Sequence, residues 1–193
     1  MTALIAGLIV FIGTHSVVSF MPATRAALMQ TLGKVGWRSL HGVLAIVGIY
    51  LISVGYASAR MAPEWLWVAP VWTRHLAALL MLLAFVLVGA ALVPGSKLKA
   101  RFGYPFLLAI KTWAIAHLLA NGGLHDVLLF GAFLAWSVAA YVVHRKRDRA
   151  VGKAASNGSW ARDGLAVVTG VVLWAIVAFW LHAAVIGIAP MGV

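Results

Sequence analysis

The chain has no cysteine and only four acidic residues, Glu64, Asp126, Asp148 and Asp163. The first absence removes disulfides, thiolate metal sites, iron–sulfur clusters and covalent c-type haem attachment. The second removes more, because each acid falls in a connector or at the end of an apolar run. With no carboxylate at mid-membrane depth, a carboxylate proton relay, a di-iron carboxylate site and an aspartate- or glutamate-based membrane protease all lack their essential group. Hydrolase chemistry also lacks its parts: there is no nucleophile elbow, and no acidic orienter is expected beside a histidine. The N-terminal stretch MTALIAGLIV has no positive n-region, so the first apolar run is expected to be a retained helix, not a cleaved signal. No internal repeat, low-complexity tract or second domain is visible, and residues 1–193 read as a single transmembrane domain.

What is present is apolar surface. Hydrophobic residues make up 64% of the 193, and the mean hydropathy is +1.01. Soluble domains use roughly 45–50% apolar residues, and a chain this short exposes too much surface to hide the excess from water. Lipid is the solvent that suits it. The formal charge of +11 does not indicate a nucleic-acid partner, because the positive residues sit in short loops and form no continuous basic face. Anionic headgroups of the bilayer are their natural partner.

Six apolar segments, at about 2–20, 40–58, 71–93, 105–121, 125–144 and 164–188, each approach the length that crosses a hydrocarbon core. The expected fold is an all-α bundle of six transmembrane helices. Asn121-Gly122-Gly123 is a tight turn, which makes the fourth and fifth segments an antiparallel hairpin. In the first connector, apolar residues such as Leu28, Leu32 and Trp37 interleave with Arg25, Lys34 and Arg38, a pattern suited to a helix lying in the interface.

Lys and Arg are distributed unequally. The first connector holds Arg25, Lys34 and Arg38; the third is assigned Lys97, Lys99, Arg101 and Lys111. The fifth holds Arg145, Lys146, Arg147, Arg149, Lys153 and Arg162, leaving only Arg60 and Arg74 for the other side. By the positive-inside rule both termini face outward, periplasmic for a multi-pass protein of a bacterial inner membrane. Trp65, Trp67 and Trp72 then fit an aromatic belt at the outer interface.

Histidine is the ionisable side chain left inside the bilayer. His15, His41, His75, His117 and His182 lie within or at the starts of apolar segments, and His125 and His144 lie at the ends of the fifth. Ionisable side chains at depth usually face the bundle interior, and neutral imidazole is a common ligand of haem and metals. Several such histidines, without cysteine or buried acid, suggest bis-histidine haem b. A rise of about 1.5 Å per residue puts His15 roughly 20 Å from the outer end of its helix and His117 roughly 18 Å from the inner end of its own. The two are thereby expected near one plane, as ligands of the haem iron. His75 and His182 form a secondary pair nearer the outer face, and His41 lies near the inner face. Trp113, one turn before His117, is placed to wall a ring-shaped cofactor. Each histidine and Trp113 also has a plain alternative in packing or in a hydrogen bond to a neighbouring helix.

The run Tyr104-Pro105 through Lys111-Thr112-Trp113-Ala114-Ile115-Ala116-His117-Leu118-Leu119-Ala120-Asn121-Gly122, followed by Leu128-Leu129-Phe130-Gly131, resembles the signature of the NnrU family. Gly13-Thr14-His15-Ser16 and the following Arg25 resemble it too, and the likeness extends over essentially the whole chain. The resemblance implies a link with bacterial denitrification and nitric oxide metabolism. It also implies similarity to the plastid 15-cis-ζ-carotene isomerase, a haem b membrane enzyme with histidine axial ligands, whose positions match His15 and His117. Many relatives carry Arg-His-Pro where this chain has Gly103-Tyr104-Pro105, so Tyr104 replaces a family histidine. A redox-gated isomerase acting on a small hydrophobic substrate is one expectation. A non-enzymatic factor that helps mature or assemble a respiratory or denitrification membrane complex is the other. A transporter and a methyltransferase rank behind these: no helix is visibly broken at mid-membrane, and Tyr104 departs from the methyltransferase-like motif.

Overall fold

The computed structural model describes residues 1–152 and 157–191. Lys153, one of the positive residues of the fifth connector, lies outside them. Helix α1 spans Thr2–Phe20, α2 Pro22–Met61, α3 Trp72–Leu92, α4 Lys97–Phe102, α5 Pro105–Ala120, α6 Leu124–Ala150 and α7 Trp160–Ile176. A π-helical turn, Val177–Leu181, then leads into α8, His182–Ile186. Among the described residues there is no β-strand, only the single bridges Trp65–Gly123 and Ser96–Ser159. All-helical structure is what a bilayer demands, since each segment must satisfy its own backbone hydrogen bonds.

Five helical stretches are long and apolar enough to cross a membrane: Thr2–Phe20, Pro22–Met61, Trp72–Leu92, Leu124–Ala150 and Trp160–Ile186. The expected fourth span, α5, is apolar but has only 16 residues, about 24 Å of helix against a core of about 30 Å. Lys111, assigned above to a connector, lies on α5 itself.

Helix α2 runs on from the expected interfacial helix into the second span. A straight helix of its 40 residues would be about 60 Å long. Gly33 interrupts it with φ 70° and ψ 169°, a left-handed backbone that glycine adopts without steric cost. Residues 22–32 before the break are mostly exposed, as an element lying along an interface should be.

The bundle closes through small-residue seams. A Cβ on Gly7 of α1 would stand 2.6 Å from the Ile52 amide nitrogen, and one on Gly48 of α2 would stand 2.8 Å from Phe11 Cβ. Gly55 receives Leu4 in the same way, and Gly89 of α3 receives Ala166 of α7. Gly13 and Gly42, which share the sequence pattern, face open space. The core joins α1, α2, α5 and α6 through Leu4, Leu8, Ile52, Ala114, Phe130 and Phe133.

Basic side chains finish the helices. Arg147 donates to Ser19 O at the end of α1 (2.8 Å), Lys99 to Ala91 O at the end of α3 (2.8 Å), and Arg60 to Ile186 O at the end of α8 (3.0 Å). Each satisfies a carbonyl that the helix leaves open and opposes the negative end of its dipole. Arg147, Lys99, Arg145 and Arg162 share one end of the bundle, its basic end, tied together by Leu98 N donating to Asp163 (3.0 Å) and Tyr104 to Asp148 (3.0 Å). At the far end the α2–α3 connector folds over the α5–α6 turn, with Leu66 N donating to Gly122 O and Leu124 N to Glu64 O, both at 2.8 Å.

Candidate functional site

The interior of the bundle carries a run of aromatic rings with a histidine near each end. His15 stacks on Phe11 (4.2 Å between centroids), Phe11 meets Phe133 (5.6 Å), Phe133 meets Trp113 (5.5 Å), and Trp113 meets His117 (5.4 Å). Helices α1 and α5 share no close backbone contact, and both pack on α6, which supplies Phe133 between them. His117 stacks on Phe130 (4.5 Å), whereas His15 faces Trp136 (6.1 Å). The six residues separating those partners on α6 amount to about 9 Å along its axis. His15 and His117 are thus offset by several ångströms in depth and reach α6 at different levels. His117 sits within a turn of Ala120, the far end of α5.

The imidazole that His15 does meet is His41, at 4.9 Å between centroids, with Trp37 beside it at 5.6 Å from His41. His15 Nδ1 lies 2.7 Å from Phe11 O, and His117 Nδ1 lies 2.9 Å from Trp113 O. In each ring Nδ1–H donates to the carbonyl one turn back, which leaves Nε2 as the nitrogen with a free lone pair. This is the anchoring that metal-bound imidazoles commonly have. Two buried nitrogens next to His15, His41 Nδ1 and Trp136 Nε1, have no hydrogen-bond partner. Among the described residues no three His, Asp or Glu side chains gather closely enough to hold a metal ion.

The secondary histidines are dispersed. His75 is exposed on α3, and α3 shares no close backbone contact with α8, which carries His182. His182 Nδ1 bonds Ile188 O (2.7 Å) just beyond the π-turn. At the basic end His144 stacks on Tyr104 (4.8 Å), and a Cβ on Gly103 would fall 2.8 Å from Arg145 Nη1. A histidine and an arginine from α6 thus stand against the Gly103-Tyr104 pair.

A polar cluster at the far end escapes sequence reasoning. Asp126 is only 3% exposed and His125 only 4%. The Asp126 carboxylate accepts from Tyr56 Oη (2.6 Å) and from Gly123 N (3.0 Å), and lies 3.6 Å from His125 Nε2. An acidic group does therefore stand beside a histidine, contrary to expectation. Arg60 lies 5.9 Å from the Tyr56 ring, and His125 Nδ1 has no hydrogen-bond partner. The available signal was Asp126 at the third position after Gly123, a helix-start pattern that indicates capping but not burial.

Two open hollows indent the surface of the bundle. One, of about 340 Å³, opens at the basic end among Lys99, Tyr104, Phe106 and His144; the other, of about 190 Å³, is apolar and lies between α3 and α5, beside Trp113.

Comparison with curated proteins finds no match, and comparison with solved structures finds none. A family profile does match: the one described as "NnrU protein" aligns with residues 3–190. That span takes in α1 to α8, with both anchored histidines and the aromatic run between them, and the chain belongs to the NnrU family.

Proposed function

We propose that this NnrU-family chain is a haem b protein of a bacterial inner membrane, with six spans and its basic end in the cytoplasm. Intramembrane imidazoles hold the haem, and His15 is one of them. The observation that carries this reading is the pair of unpartnered buried nitrogens, His41 Nδ1 and Trp136 Nε1, flanking an imidazole whose own Nδ1 is committed to Phe11. Buried nitrogens are seldom left without partners, so two of them around one ring argue for a bound group. Among the described residues no third His, Asp or Glu joins His15 and His41, which suits a metal that carries its own ligand ring, as haem does.

His41 is the nearer second ligand for His15, and His117 is the one that the family resemblance implies. Haem held by His15 and a second imidazole would supply one-electron or Lewis-acid chemistry there. The chain's residues set the conditions. The Phe11 carbonyl orients His15 and selects its tautomer, and Phe11, Trp37 and Trp136 keep the surroundings apolar. A redox-gated isomerase acting on a small hydrophobic substrate is what the resemblance implies for such a site. The link to denitrification and nitric oxide rests on the family resemblance. The orientation rests on the crowding of Lys and Arg at one end.

The test is an absorption spectrum of detergent-purified protein, with haem quantified against protein for the wild type and for His15→Ala, His41→Ala and His117→Ala. About one haem per chain, lost in the His15 and His41 variants and retained in the His117 variant, is the expected result. Loss in the His15 and His117 variants alone would restore the pairing drawn from sequence. A colourless protein from haem-replete cells sinks the haem reading and leaves a non-enzymatic assembly factor in its place.

A further inference from the structure

The two hollows have one residue in common. Phe106, at the start of α5, lines both the 340 Å³ opening at the basic end and the 190 Å³ apolar space between α3 and α5. Chemistry changes along that line. At the mouth stand the Lys99 ammonium, the Tyr104 phenol and the His144 imidazole. Beyond Phe106 the walls are Met81, Phe85, Val88, Ala109, Ile110 and Trp113, with no charged group among them. A hollow edged by a cation and set beside an apolar groove, with Phe106 between them, is complementary to an amphiphile with an anionic head.

We propose that this paired hollow is a binding site for one anionic phospholipid, its phosphate at Lys99 and one acyl chain lying along the α3–α5 seam towards Trp113. Charge at the mouth favours an anion over a zwitterion. Lys99 gives one donor to Ala91 O, which fixes the ammonium at the rim, and an ammonium carries three. Arg145 lies against Gly103, where φ is 74° and the missing side chain leaves room for the guanidinium. The acid of this region, Asp148, accepts from Tyr104 on the α6 side. The other nearby acid, Asp163, is 8% exposed and accepts from Leu98 N. A free phosphate ion would use the mouth alone. The apolar groove on the other side of Phe106, together with the 54% exposure of Phe106 itself, selects a lipid, whose chain can lie over that ring. The site is independent of any haem, since it uses neither His15 nor His41.

Trp113 at the inner limit of the seam provides the readout. Purified protein is titrated in detergent with phosphatidylglycerol brominated in its acyl chains, and in parallel with brominated phosphatidylcholine, while tryptophan fluorescence is followed. Phosphatidylglycerol is expected to quench a saturable component that Trp113→Phe removes. Lys99→Gln is expected to weaken that binding by about five-fold, the effect of one basic residue at a membrane surface, and Lys99→Arg to restore it. Leu107→Phe, which narrows the mouth without adding a fluorophore that the assay reads, should abolish saturable quenching by this lipid while helix content by circular dichroism stays at the wild-type value. Equal quenching by the two lipids, unchanged in Lys99→Gln, would mean ordinary boundary lipid and overturn the proposal. Loss of the phosphatidylglycerol preference on adding millimolar inorganic phosphate would overturn it differently, by making the mouth a soluble-anion site.

Discussion

The phenol of Tyr56 on α2 donates a 2.6 Å hydrogen bond to the carboxylate of Asp126 on α6. The backbones of these helices touch only slightly, so this bond, with Ile52 and Phe130 packed nearby, joins them at the far end. A carboxylate 3% exposed depends on each donor it has, because burial without a partner costs more than the bond itself returns.

Tyr56→Phe removes that donor and keeps the ring. It is expected to destabilise the protein by about 1.5–3 kcal/mol, the range for hydrogen bonds to a charged group. Thermal unfolding in detergent, followed by circular dichroism, measures it. Tyr50→Phe, at a position 64% exposed, is the control and should leave the melting temperature unchanged.

Glycines that look alike in sequence should respond differently. Gly55→Leu places a side chain where Leu4 of α1 passes, and should cost upwards of about 1–3 kcal/mol through overpacking. Gly13→Ala meets nothing within 4 Å and should be neutral or slightly stabilising, through better helix propensity. Melting temperatures of the two variants decide it. Equal losses would mean that α1 and α2 pack in some other way.

The absence of cysteine makes orientation directly measurable, since every introduced thiol is unique. Lys146→Cys at the basic end should be shielded from an impermeant maleimide in intact spheroplasts, and labelled once the membrane is opened. Val68→Cys in the α2–α3 connector, 86% exposed, should be labelled in intact spheroplasts. The reverse pattern would turn the protein over in the membrane.

Much of the fold was legible because membrane hydropathy is a local property. The runs at about 2–20, 71–93 and 125–144 reappear as α1, α3 and most of α6, since lipid obliges each apolar segment to close its own hydrogen bonds. Less legible was the reach of α2, whose helical periodicity continues on both sides of Gly33. The bounds of α5 were legible, because Pro105 opens the helix and Asn121-Gly122 mark the turn that ends it.

The sequence alone settled that this is an all-helical membrane-type chain of the NnrU family, basic at one end and poor in acid. Those properties follow from composition and local order, which do not depend on how helices rotate against one another. Tertiary structure alone decided that His15 meets His41, that Phe133 stands in the aromatic run towards His117, and that Asp126 is buried beneath Tyr56. Each of these depends on the rotation and axial register of a helix. Both are set by contacts distant in sequence, such as Leu4 seated on Gly55 and Ala166 on Gly89, where the absence of a side chain allows two backbones to meet.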